Sequence, residues 1–431
     1  MKISIIIPTR ERIAYLRHSL ATALAIEDPE LEIVVSDNAS TDETAEHLRG
    51  IADPRLVVVN PGRRVSMREN FQCGLDHSSG DYVIFIGDDD GILPGQFALL
   101  RHILDRERPD SLSWTLPTFG WPDLRGGTTA GRVRLSARGC FGALVPSRLE
   151  HLRRMMLEGN MYWSGAYPTL YHGAASRAYL DGLTSQGQPF FRSKVPDFFF
   201  SFMAILKGGR HLHVAHPFSV SGFSRASTGN SHQSHVSGSG KGSAEVAAPV
   251  SPARKFEAEA QEDTIQDIGF VGMGVPAAFF TTMETVRKVI GPEAPRPSYR
   301  GWYQYILRNM GSLSEDEHRW MTGLLRDYAE QSDSLPELGS AMSPLGALER
   351  RLHRIGPQKV AALVVKILDR RRQVKTVALR NGRSDIHVAA MTYDVLLGAD
   401  GLAVHRGECA REDAWSALKE RAGQATARNQ E

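Results

Sequence analysis

Cysteine is scarce in this chain: Cys73, Cys140 and Cys409 are the three among 431 residues, far apart and without CxxC spacing. They cannot all pair, which excludes a disulfide-built scaffold and leads us to expect buried thiols in a reducing, cytoplasmic compartment. Long apolar runs are missing as well. The opening MKISIIIPTR is too short for a signal core and nothing later reaches spanning length, so a soluble protein, at most peripheral to a membrane, is expected. Excess charge of one sign is also absent: the formal net charge is +2, which argues against a nucleic-acid partner and makes any basic surface local. No internal repeat is visible. The first strand is followed by PTRER rather than G-x-G-x-x-G, which counts against a dehydrogenase.

What is present is alternation. Residues 3–7, 31–35, 56–60 and 82–86 are apolar, β-branched runs of the kind buried on both faces of a parallel sheet. Between them, Ile13, Leu16, Leu20 and Leu24 mark one helix face over 12–25, and Met67, Phe71 and Leu75 another. Pro8 is expected to stop the first strand, and Ser40 or Thr41 to cap a helix starting near Asp42. The order βαβαβαβ implies an open α/β sheet whose ligands sit outside the carboxyl ends of the strands. After about residue 120 the periodicity weakens, with helices expected near 148–158 and 197–206. Residues 222–248 are rich in Ser, Gly and His and read as a linker or as a lid. Residues 251–431 read as mainly helical, including 275–290, 302–310 and 357–379.

The chemistry centres on GDYVIFIGDDDG at 80–91, where three carboxylates follow an apolar strand directly. Like charges so close need open water or a cation. A hard divalent ion takes one or two carboxylates and completes its shell with phosphate and water, which points to a nucleoside diphosphate and Mn²⁺ or Mg²⁺.

Together with SIIIPTRER at 4–12, EIVVSDNASTDET at 32–44 and VPDFFFSFMAILKGGR at 195–210, this stretch resembles the family 2 glycosyltransferases, over about residues 1–230. The resemblance implies a GT-A fold: a nucleotide-binding half over 1–120, an acceptor half over 121–230, a loop or linker at 222–250 and a helical region over 251–431. It implies that Pro8, Thr9, Arg10, Asp37 and Asn38 hold the nucleotide, with Arg68 and Asn70 approaching the donor. Asp88, Asp89 and Asp90 become the DxD, with Asp89, Asp90 and His216 as metal ligands, and Asp197 the base of an inverting reaction. The family's usual Glu before that base is Pro196 here, and the first carboxylate of its DADD pattern falls on Gly87.

Each residue has a plainer alternative. Asp37 can cap a turn, Arg10 can be solvated, Asp42 suits a first helical turn, and Arg68 and Asn70 can line a polar helix face. Asp197 can be a helix cap, and His216 a satisfied strand histidine. Trp114, Trp121, Tyr162, Trp163 and Tyr167 suit either a sugar-stacking platform or the core. Residues 351–380 carry nine basic side chains against Asp369, with Val360, Val364, Ile367, Val374 and Ala378 on one face, which fits core packing, an anionic membrane surface or a homo-oligomer contact. The expected activity is metal-dependent transfer from a UDP-sugar to a glycan, lipid-linked or small-molecule acceptor. The rivals are a nucleotidyltransferase, for which a Gly-rich phosphate loop and a lysine are missing after Pro8, and a non-catalytic sugar-nucleotide-binding subunit of a membrane complex.

Overall fold

The computed structural model describes residues 1–123, 131–161, 166–184, 187–227, 263–265, 274–311, 313–355, 377–379 and 384–428. The opening alternation becomes β1 (Ile3–Thr9), α1 (Ile13–Leu24), β2 (Leu31–Asp37), α2 (Thr44–Arg49), β3 (Leu56–Val59), α3 (Met67–Asp76) and β4 (Tyr82–Phe85). β1 lies in parallel between β2 and β4, and β3 adds in parallel to β2. Ile3, Ile5 and Ile7 pack with Leu16 and Leu20 of α1 on one face, while Ile6 packs with Phe71 and Leu75 of α3 on the other. Both faces are covered, and that is why these strands are continuously apolar.

Two expected boundaries move. β1 continues through Pro8 to Thr9, pairing with Ser36 and Asp37. Ile86 N–H donates to Ile6 O at 3.1 Å, so Pro8 faces the same side two residues on, where β4 has already ended and no partner needs its missing N–H. The second helix starts at Thr44, and its free N–H groups are met by Asp42, whose Oδ1 accepts from Thr44 N at 3.1 Å. Ser40 and Thr41 are instead bonded to Glu11.

Beyond the acidic turn come β5 (Gly91–Ile92), α4 (Phe97–Glu107), β6 (Ser111–Trp114), β7 (Thr118–Gly120), β8 (Arg132–Val133), β9 (Leu144–Pro146), α5 (Leu149–Leu157), β10 (Gly173–Ser176), α6 (Arg177–Leu183), α7 (Pro196–Lys207), β11 (His211–Val214) and β12 (Ser219–Phe223). The main sheet runs β3-β2-β1-β4-β10-β6-β11-β9. β10, with the sequence GAAS, enters antiparallel between β4 and β6. Its small residues carry none of the β-branched signal that marks the other strands. β5, β12 and β7 form a second small sheet beside the acidic turn.

The helical region follows as α8 (Gly274–Ile290), α9 (Tyr299–Asn309), α10 (Glu315–Gln331), α11 (Leu335–Met342), α12 (Pro344–Ile355), a short β13 (Val377–Ala378), α13 (Ile386–Leu397), α14 (Asp400–Arg406) and α15 (Arg411–Arg428). α8 lies on α7 through Phe279 against Phe198, with ring centroids 4.0 Å apart, and Trp302 and Tyr303 of α9 extend that core. α13 and α15 pack elsewhere, with Phe119, Trp121 and Val220, and α13 also rests on α1. The expected helix at 357–379 lies outside the described residues except at its end, where Val377–Ala378 is a strand paired with Arg132–Val133. The lid or linker reading lies largely outside them too, although residues 219–223 are β12 rather than loop. Of the basic stretch 351–380, only 351–355 and 377–379 are described, and none of the described helices is long and apolar enough to cross a membrane.

Candidate functional site

The turn after β4 folds back on itself. Gly87 N–H donates to Asp90 Oδ2 at 2.8 Å, and Asp90 N–H to Gly87 O at 3.2 Å. All three aspartates are buried, at 2%, 5% and 2% exposure, so their charge has to be met from within the protein. Thr9 Oγ1 donates to Asp88 Oδ2 at 2.8 Å. Arg12, at the start of α1, contacts Asp88 Oδ1 through Nη1 and Asp89 Oδ2 through Nη2, both at 2.9 Å. Ser224 Oγ donates to Asp89 Oδ2 at 2.7 Å, and the Ser227 hydroxyl reaches the same oxygen.

Asp90 is enclosed most completely. Besides Gly87 it meets Tyr171 Oη at 2.6 Å, His172 Nε2 at 2.9 Å and Gly222 N at 2.7 Å. The titration directions follow. Burial lifts Asp88 and Asp89 above the usual carboxylate range and Arg12 lowers them only in part, whereas for Asp90 burial is outweighed by His172, Tyr171 and the Gly222 amide, which hold it low.

Close approach makes two glycines necessary. A Cβ on Gly222 would overlap the Asp89 carbonyl, and one on Gly87 would fall 2.6 Å from Tyr171 Oη. The Tyr171 hydroxyl therefore occupies the side where the family pattern expects its first carboxylate. His172 has φ 50°, a left-handed backbone unusual outside glycine. Its ring is pinned between Asp90 and Ser219 Oγ, which lies 2.9 Å from Nδ1.

The first and second loops are stitched together at two further left-handed residues, Glu11 (φ 55°) and Ala39 (φ 51°). Glu11 N–H donates to Ser40 Oγ at 2.9 Å, and Thr41 N–H to Glu11 Oε1 at 2.8 Å. Pro8 and Arg10 flank Thr9 and are partly exposed. Asp37 Oδ1 accepts from Ser40 N at 3.1 Å and its Oδ2 from Asn60 Nδ2 at 3.4 Å, so this aspartate shapes its loop as the turn-capping alternative foresaw.

Asn38 and Arg68, expected at the donor, are both engaged within the protein. The Asn38 amide is spent on Val65, donating to its carbonyl and accepting from its N–H, both at 2.8 Å. Arg68 is 3% exposed, with Nε on both Asp263 oxygens and Nη1 on Phe191 O. Asn70 likewise bonds Ser36. His216, expected as a metal ligand, has Nδ1 accepting from Phe141 N and Nε2 3.1 Å from Gln96 Oε1, and burial pushes the imidazole down to about 3. The stacking platform also dissolves. Trp114 and Trp121 are buried with their indole N–H on Ser219 Oγ and Asp89 O, Tyr167 is buried, and Tyr162 and Trp163 lie outside the described residues.

Asp197 begins α7, with Pro196 ahead of it at the first turn. Burial pushes its carboxyl up to about 6, against the Phe198 and Asp197 backbone N–H groups and the charge of His172. Burial, and after it the charges of Asp90 and Asp89, raise the Tyr171 hydroxyl, with Asp197 adding the least. Tyr171, His172, Arg12, Ser224 and Ser227 were not singled out from sequence. Only Arg12 lay in a quoted motif, and the others are 81 or more positions from the aspartates they touch.

The donor set has the chemistry of a hard-cation site. Asp88 Oδ1 and Asp89 Oδ2 converge on one positive group, the Arg12 guanidinium, and Asp88 Oδ1 is shut from water without a hydrogen-bond partner. Among the described residues no three Asp, Glu, His or Cys side chains assemble into a complete metal cage, but Mg²⁺ or Mn²⁺ beside a diphosphate needs only one or two. Asp88 and Asp89 fit that requirement. Asp90, also expected as a ligand, has its oxygens met by four donors.

The sequence model described as Glycosyl transferase family 2 matches residues 4–131, the stretch holding β1 to β4, both loops and the acidic turn. Those residues form a family 2 glycosyltransferase domain. The sheet and its flanking helices have the GT-A architecture, while Tyr171, His172 and Asp197 lie beyond the matched residues. The chain is 32% identical over 102 residues to a GalNAc(5)-diNAcBac-PP-undecaprenol beta-1,3-glucosyltransferase of Campylobacter jejuni, covering 23% of this chain and 33% of that protein. It is 31% identical over 112 residues to the abequosyltransferase RfbV of Salmonella typhimurium, covering 25% and 34%. The chain thus spans about a third of the length of the curated relatives it matches. The crystal structure of S. aureus TarS superposes with a TM-score of 0.40 at 16% identity, covering 78% of this chain and 54% of that one. A TarS 1–349 complex with UDP-GlcNAc gives 0.39 at 16%, covering 78% and 89%.

Proposed function

We propose that the chain is an inverting glycosyltransferase that moves a sugar from a nucleoside diphosphate donor, with UDP-sugars first in line, to an acceptor hydroxyl. The observation that carries the reading is the buried acidic turn at the carboxyl end of β4, where Asp88 and Asp89 converge on one positive group and Asp90 is held by Tyr171, His172 and the Gly222 amide. Thr9 holds Asp88, and Tyr171, His172 and the Gly222 amide hold Asp90, so the turn is rigid before donor arrives. Asp197, with its carboxyl pushed up to about 6, takes the proton of the acceptor hydroxyl as that oxygen attacks the anomeric carbon. Mn²⁺ or Mg²⁺ bound by Asp88 and Asp89 supplies neutralisation of the charge that develops on the leaving diphosphate. Protein groups around the turn exclude water that would otherwise hydrolyse the donor.

The names of the relatives suggest the acceptors to test. One is named for a glucosyl transfer to a glycan on diphosphoundecaprenol and the other for abequosyl transfer, so a lipid-diphosphate-linked oligosaccharide comes first, with free glycans and small molecules after it. Such an acceptor places the chain in the cytoplasm against the inner face of the membrane. The test is release of UDP from a panel of UDP-sugars with Mn²⁺ and these acceptors, with the anomeric configuration of the product read by NMR. Inversion, lost in Asp197→Asn, supports the reading. Retention of configuration, or full turnover in Asp197→Asn, overturns it.

A further inference from the structure

We propose that Arg12 is an exchangeable counter-ion: the divalent cation that accompanies the donor replaces its guanidinium between Asp88 and Asp89, and the released Arg12 pairs with the donor diphosphate. This rests on the donor reading above and adds a coupling that the reading does not require.

The contacts of Arg12 are those of a placeholder. Nη1 touches Asp88 and Nη2 touches Asp89, one nitrogen to each carboxylate, with Ser224 Oγ 3.2 Å from Nη2. Neither carboxylate receives the parallel, two-bond fork that makes an Arg–carboxylate pair strong. Arg12 Nε is shut from solvent without a hydrogen-bond partner, and Asp88 Oδ1, equally shut in, has the 2.9 Å ion contact with Nη1 but no well-aligned hydrogen bond, so this buried pair is imperfectly satisfied. A small cation is suited to that position, because it accepts one oxygen from each of two carboxylates and leaves its other positions for phosphate and water.

The route out is also present. The Arg12 backbone caps α1, next to Glu11, which is tied to the second loop by the bonds to Ser40 and Thr41, so the side chain can swing while its anchor stays. Its guanidinium carbon lies 5.2 Å from the Tyr15 ring centroid while it holds both carboxylates, a contact that does not replace their charge. Ser224 links the two events, since the hydroxyl that touches Arg12 also bonds Asp89.

The consequence is cooperativity of a stated sign. A cation arriving alone displaces Arg12 and leaves a charged group without a partner, which is unfavourable in a partly buried site. A cation arriving with a diphosphate gives Arg12 a new anion. Cation and nucleotide therefore strengthen each other, by the same factor in both directions.

The experiment uses the full chain, with Mn²⁺ binding read from the EPR signal of free Mn²⁺ and UDP binding by calorimetry. In the natural protein, UDP raises Mn²⁺ affinity by roughly tenfold or more, and Mn²⁺ raises UDP affinity equally. Arg12→Gln binds Mn²⁺ alone more tightly than the natural protein, and its coupling to UDP collapses toward one. Arg12→Lys, which keeps the charge but cannot span both carboxylates, falls between them and serves if the glutamine variant folds poorly. Equal Mn²⁺ affinities in natural protein and Arg12→Gln, or undiminished coupling in that variant, overturn the exchange while leaving the donor reading intact. Tighter Mn²⁺ binding by Arg12→Gln with no binding of UDP to any of the proteins supports Arg12 as counter-ion and overturns the donor reading instead.

Discussion

Arg68 and Arg12 both hold a guanidinium against aspartate inside the same domain, and their bonding differs. Arg68 Nε meets both oxygens of Asp263, Nη1 takes the Phe191 carbonyl, and Ser66 Oγ completes Asp263 at 2.6 Å. Arg12 divides itself between two carboxylates, and its Nε and the facing Asp88 oxygen have no hydrogen-bond partner. Arg68 was expected to approach the donor and Arg12 was not singled out, yet it is the less completely bonded Arg12 that is poised to respond to a ligand. A saturated buried ion pair is a brace, and an unsaturated one in a cleft signals that something else completes it.

Asp197 is a third case: burial pushes its carboxyl up to about 6 although the Phe198 and Asp197 backbone N–H groups meet it. Asp197→Asn should lower turnover by about 10²–10⁴-fold with little change in melting temperature, measured by UDP release and thermal denaturation side by side. The natural enzyme should also gain activity as pH rises through about 6, where the carboxyl becomes the proton acceptor, and that limb should vanish in the asparagine variant.

Next in size come the arginines themselves. Removing either leaves buried carboxylate charge unpaired, so Arg68→Ala and Arg12→Gln should each cost about 3–5 kcal/mol in metal-free buffer. Mn²⁺ should restore much of the loss in Arg12→Gln and none of it in Arg68→Ala, as read by denaturant melts with Mn²⁺ or EDTA. Rescue of both, or of neither, would erase the distinction drawn here.

Gly222→Ala should cost roughly 1–3 kcal/mol, since a Cβ there overlaps the Asp89 carbonyl and forces β12 off the acidic turn. Weakened UDP binding per folded molecule should accompany that loss.

An effect confined to acid conditions belongs to His216. Its imidazole is held neutral down to about 3 from an ordinary 6.5, so the unfolded chain binds this proton first. The contribution is therefore complete above pH about 6.5 and erodes as pH falls toward 3, with a slope of at most about 1.4 kcal/mol per pH unit. His216→Gln should flatten that part of a stability–pH profile without altering Mn²⁺ binding.

Much of this was legible along the chain. Strand runs at 3–7, 31–35 and 82–86 are unmistakable because burial on both faces demands uninterrupted apolar residues. The acidic turn stands out because three carboxylates after such a run need compensation. β10 was not legible, since GAAS lacks the strand signal and is placed by its neighbours, β4 and β6. Nor could Asn38 be told from a nucleotide ligand, because its partner Val65 is 27 positions away and nothing local announces it. Pro8 misled for the opposite reason: it interrupts a strand only where a partner needs its N–H, and β4 has ended by then.

Sequence alone determined that a parallel sheet forms at the start of the chain and that its fourth strand delivers three aspartates to the rim, because periodicity and adjacency are properties of neighbouring residues. Only the tertiary structure decided what answers each carboxylate: Arg12 for Asp88 and Asp89, Tyr171 and His172 for Asp90, Ser224 and Ser227 above them. Hydrogen bonds and ion pairs act over about 3 Å in space however far apart their groups lie along the chain, so the division of labour within the triad comes into existence only when distant loops close on it.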